Sequence, residues 1–176
     1  MSTALDDKLL GSYLNDHLAG ATAGLELARR ARSSNKGNRF GEFLADLAVE
    51  IEQDRESLEH LMDRLNIGKD RLKVTAGWAG EKAGRLKLNG RFLSYSPLSR
   101  LIELEGLTAG VTGKLSLWQS LKSVADLDPI LGEFELDTLI DRAKAQLQGL
   151  ERERAAAAEL ALTGVEEVAE AAPPGA

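Results

Sequence analysis

The stretch SPLSRLIELEGLTAGVTGKLSLW, residues 96–118, decides the fold. Ser96-Pro97 puts a capping side chain ahead of a proline at the first helical position. Leu101, Leu104, Thr108, Val111, Leu115 and Trp118 then recur in alternating steps of three and four, the spacing of a seam that faces other helices. Asp128-Pro129 repeats the start signal and predicts a further helix from there through Leu136, Leu139, Ala143, Leu147, Leu150, Ala157 and Ala161 to Thr163-Gly164. Upstream, Thr3 with Asp6 has capping-box spacing, and Leu10, Leu14, Ala21, Leu25 and Ala28 predict a first helix over residues 5–32. After a break at Asn35-Lys36-Gly37-Asn38, the apolar face of Phe40, Leu44, Leu47, Ile51, Leu58 and Leu65 predicts a second over 38–65, closed by Asn66-Ile67-Gly68.

Composition agrees. Of 176 residues, 31 are leucine and 24 alanine against only 18 Val, Ile and Thr together, which favours helix and excludes sheet-based folds. The four prolines stand at 97, 129, 173 and 174, so three long stretches are free of helix breakers. Four helices of this length pack only side by side, as an all-α four-helix bundle in one domain over residues 1–163. The first and last connections are short and demand antiparallel neighbours. Residues 66–96 form a connection long enough to run the length of the bundle, so the second and third helices point the same way; within it, 78–88 could form a short helix of its own. The tail, 164–176, is rich in Glu, Ala and Pro without apolar periodicity and reads as disordered.

Two antiparallel pairs joined by one long crossover resemble the ferritin-like superfamily, where the crossover links the helices lettered B and C. The stretches YLNDHLAGATAGLELARR (13–30), EFLADLAVEIEQDRESLEHL (42–61) and the one quoted above resemble helices of small bacterial ferritin-like proteins. The resemblance implies a di-iron site, with Glu from two helices and Glu-x-x-His from the other two. That motif is missing: Leu14 stands three residues before His17, Ser57 three before His60, and no histidine follows His60. We therefore expect no di-iron centre, no cofactor and no enzymatic activity. Glu56 and His60, four apart, read as a surface pair.

Polar residues on inward faces are the candidate site. His17 lies near the Leu10–Ala21–Ala28 line, Asp54 within the Leu47–Leu58–Leu65 stripe, Glu105 beside the Leu101–Thr108 seam, and Arg154 between Leu150 and Ala157. Levels along the bundle predict a His17–Asp54 contact and a separate Glu105–Arg154 contact, each fixing register. If any metal is retained, His17 and Asp54 are its expected ligands. Gly20, Ala21, Ala23 and Gly24, with Gly106, Ala109, Gly110 and Gly113, cost helix propensity and are expected to let two backbones approach closely, or else to open a small apolar cavity.

A net charge of −6 argues against nucleic acid or anionic lipid as partners. The connection 66–96 is the exception, with seven Lys/Arg against two acids, and reads as a solvated connector on an acidic bundle that carries −11 elsewhere. The absence of cysteine removes disulfide, thiolate-metal and thiol chemistry. No basic-then-apolar leader and no long apolar run are present, so the expectation is a cytoplasmic protein. Leu117, Trp118 and Leu121 widen the apolar face of the third helix and predict a homodimer. The functional expectation is a non-catalytic structural or protein-interaction bundle; the alternative is a degenerate metal- or small-ligand-binding protein.

Overall fold

The computed structural model describes residues 5–70 and 95–163. The expected short helix at 78–88 and the tail at 164–176 lie outside them, as does most of the 66–96 connection. Among the described residues the chain is all helix: α1 (Asp7–Ser34), α2 (Arg39–Arg64), α3 (Pro97–Ser123), α4 (Pro129–Gly132) and α5 (Leu136–Thr163), with a 3-10 turn at Ala125–Leu127.

Short polar side chains set the helix starts, because each satisfies backbone N–H groups that have no partner one turn earlier. Asp6 accepts from the amides of Lys8 and Leu9, Asn38 from Gly41, and Ser96 from Ser99 with Pro97 behind it. Asp128-Pro129 does start a helix, but it lasts only four residues before the chain turns and α5 begins at Leu136. The expected continuous fourth helix is thus corrected. The turn brings fully buried Leu131, with Ile130 and Phe134, onto the lower core, so the connection serves as a plug for that end of the bundle.

α1 packs most extensively on α2 and α3 on α5, and α1 also lies along α3. Contacts give the directions. Arg39 meets Glu153 and Gln53 meets Arg142, so α2 and α5 are antiparallel. Arg30 meets Glu103 while Asn35 meets Arg100, so α1 and α3 are antiparallel as well. Phe40 lies under Arg100 and Asp54 meets Lys114, which makes α2 and α3 parallel.

The core falls into two parts. An upper one gathers Leu25, Ala28, Leu44, Ile51, Leu104, Val111, Ala143 and Leu150. A lower one gathers Leu14, Leu18, Leu58, Leu61, Leu117, Trp118, Leu121 and Leu139. Between them each helix changes character: Asp54 falls between Ile51 and Leu58, Lys114 between Val111 and Leu117, Gln146 between Ala143 and Leu150, and Gly20 to Gly24 between Leu18 and Leu25.

Candidate functional site

At that junction Asp54 is 2% exposed, a position a carboxylate occupies only with partners. It has three. Lys114 Nζ donates to Oδ2, Gln146 Nε2 donates to the same oxygen at 3.0 Å, and Arg142 Nε stands 2.8 Å from Oδ1. The last contact is an ion pair out of line for a hydrogen bond. Lys114 Nζ also donates to Gln146 Oε1, which closes a ring of side chains from α2, α3 and α5. Burial pushes the Lys114 ammonium below the ordinary lysine range; Asp54 opposes this, and Arg142 adds to it.

Beside the ring, between α1 and α3, is a hollow of about 250 Å³. Its walls are the small residues of both helices, and Ile51, Leu107, Val111, Asp54, Lys114 and Trp118 line it further. A Cβ built on Gly20, Gly24, Gly110 or Gly113 would meet nothing within 4 Å, so at these four positions the expected close approach of backbones does not occur. Gly106 is tighter, with Leu27 Cδ2 3.2 Å from a built Cβ, but the neighbour is a side chain and not the facing backbone. The other glycines keep a space open.

His17 and Asp16 stand on the wall formed by α1. The His17 ring is half-buried, edge-on to Tyr13 with centroids 4.6 Å apart. Burial lowers its pKa, against the opposing charge of Asp16. The expected His17–Asp54 contact is not made: both line the hollow, but Asp54 is taken by Lys114, Arg142 and Gln146. A metal at Asp54 would compete with two cations already in place. Among the described residues, no group of three or more His, Asp or Glu is arranged to hold a metal ion.

The Glu105–Arg154 layer is also corrected. Glu105 is exposed and acts on Arg154 only through its charge, whereas Arg154 pairs directly with Glu151 on its own helix at 2.6 Å. The buried acids near that level are instead Glu103 and Glu153. Glu103 accepts from Arg30 Nε and from the Tyr95 hydroxyl, whereas Glu153 takes Arg39 in a two-point grip. Each expected residue was a near neighbour of the one that turns inward. At the surface, His60 lies beside Phe134, with ring centroids 6.1 Å apart.

Leu117, Trp118 and Leu121 are each 1% exposed within a single chain, which removes the apolar face on which the homodimer expectation stood. No helix among the described residues is long and apolar enough to cross a membrane. Comparisons with protein-family models, curated proteins and solved structures find no match. The reading of the site therefore rests on geometry. Lys114 and Gln146 were missed in the sequence, although Leu107–Val111–Lys114–Trp118 and Ala143–Gln146–Leu150 follow the steps of four and three that mark inward positions.

Proposed function

We propose that the chain is a ferritin-like bundle that binds a small apolar molecule between α1 and α3, in place of a di-iron centre and without catalysing a reaction. The ferritin-like reading is supported by two antiparallel pairs whose inner members, α2 and α3, are parallel. One observation carries the binding reading: of the five helical glycines that line one hollow, four would meet no neighbour if given a Cβ and only Gly106 would touch one. Glycine in a helix interior costs about 1 kcal/mol relative to alanine. No packing contact offsets that cost at those four, so the space itself is what the residues preserve.

Size limits the ligand. An apolar cavity of about 150 Å³ takes up benzene; one of about 250 Å³ suits a two-ring molecule. Indole is a suitable probe. Calorimetric titration should give saturable binding to the native protein, and Gly24→Leu, whose side chain would occupy the hollow, should abolish it while helix content and melting are retained. Failure of indole to bind the native chain, or undiminished binding to the variant, would overturn the reading.

A further inference from the structure

Lys114 carries an amine that passive binding does not use. Its side chain is 13% exposed and lines the hollow, the only lysine among the described residues to do so. Two cations serve the one carboxylate of Asp54: Lys114 on Oδ2 and Arg142 on Oδ1. Proton transfer from Lys114 to Asp54 neutralises both together, and Arg142, 27% exposed and bonded to Gln53 at the surface, is left facing water. Burial and Arg142 already disfavour the ammonium, against Asp54 and the weaker pull of Glu50. A lysine desolvated against an apolar pocket, beside a second cation, is the setting in which the amine becomes nucleophilic.

We propose that Lys114 condenses with the carbonyl of a small apolar aldehyde or ketone seated in the hollow, forming a Schiff base; the inference rests on the binding reading above. The Lys114 ammonium first passes a proton to the Asp54 carboxylate. The freed lone pair forms the C–N bond while the C=O π pair moves to oxygen, and one proton shifts from nitrogen to that oxygen to give the carbinolamine. The hydroxyl then leaves as water with the proton returned from Asp54, and the nitrogen lone pair closes the C=N bond. Ammonium plus carbonyl has become iminium plus water, with no oxidant or reductant consumed. The iminium restores the positive charge opposite Asp54 and keeps an N–H for Gln146 Oε1, while the apolar remainder of the ligand stays against Ile51, Leu107 and Val111.

The test uses the full chain, benzaldehyde and cyanoborohydride at neutral pH, which reduces an iminium to a stable benzylamine that peptide mass mapping locates. Lys122 and Lys144, 50% and 53% exposed, are internal references. A lowered ammonium pKa raises the share of neutral amine, so Lys114 should be labelled measurably faster than either. Saturating indole, which has no carbonyl, should suppress labelling at Lys114 alone, and Lys114→Arg should lose that adduct while the others persist. Labelling of Lys114 no faster than the references overturns the inference. If indole binds and Lys114 stays unlabelled, only this inference falls; if indole also fails to bind, the binding reading falls with it.

Discussion

Gly41 lies directly against the carbonyl of Asn35: a Cβ built on Gly41 would stand 2.0 Å from Asn35 O and 2.8 Å from its carbonyl carbon. The obstacle is backbone, in a turn where buried Asn35 also binds the Ala31 carbonyl, the Tyr95 hydroxyl and Arg100. Nothing there can rotate away. We predict that Gly41→Ala destabilises the protein by about 3 kcal/mol or more, the upper end for overpacking, as read from urea denaturation.

The glycines of the hollow should behave in the opposite way. With no atom within 4 Å of the added methyl, Gly20→Ala and Gly24→Ala gain helix propensity without a clash. Each should raise stability by up to about 1 kcal/mol, visible as a higher melting temperature. A loss of stability at both would mean that the space is less free than its geometry indicates.

Removing Asp54 should cost far more than removing Lys114. Asp54→Ala leaves Lys114 and Arg142, both largely withdrawn from solvent, facing an empty place, a change of about 3 kcal/mol, the lower end for a broken buried pair. Lys114→Met keeps the stem and leaves Asp54 with Arg142 and Gln146, so its cost should stay below about 1.5 kcal/mol. Equal losses in the two variants would contradict this division of the carboxylate between its partners.

Arg39 and Arg154 make a similar contrast. Arg154 pairs on the surface of its own helix, and Arg154→Ala should leave the urea midpoint essentially unchanged. Arg39 is the partner of buried Glu153, so Arg39→Ala should cost about 1–3 kcal/mol by leaving that carboxylate unsatisfied.

His17 gives a pH dependence of defined sign. Its folded-state pKa lies below the unfolded value of 6.5. As pH falls from above 6.5 towards the folded value, the unfolded chain takes up the proton first and stability declines. His17→Gln should flatten that part of the slope. Urea midpoints at pH 7.5 and pH 5 in both proteins measure the difference, and an unchanged slope would assign the acid sensitivity to other groups.

Helix positions were legible because their signals are local: Ser96 and Asp128 act on amides two or three residues away and cap as their pairing with proline predicts. Asp6, by contrast, expected as the far end of a capping box, is itself the cap of α1, and Asn38 caps α2 from a stretch read only as a break. What Asp128-Pro129 could not convey is helix length, since the turn after Gly132 is set by the need to bury Leu131 in the lower core. Asp54 was legible as a charge within an apolar stripe. Glu103 and Glu153 were not distinguished from Glu105 and Arg154, because residues flanking a stripe turn inward or outward according to what the neighbouring helix offers, here Arg30 and Arg39. Lys114 was hidden by its long apolar stem, which lets a charge occupy a seam position. The glycines were legible as a cost; whether contact or space offsets it depends on the distance between two helices, which no single segment encodes.

Among the described residues the strongest packing is within two hairpins, α1 with α2 and α3 with α5, and the described contacts that dock them join residues at or before Asp70 to residues at or after Tyr95. Arg30 to Glu103, Asn35 to Arg100, Arg39 to Glu153 and Asp54 to Lys114 all cross that divide without needing a peptide bond between the two sides. A protease cut between Asp70 and Tyr95 would therefore leave two fragments that remain associated. The same two fragments, produced as separate polypeptides, carry what they need to find each other and rebuild the bundle in trans.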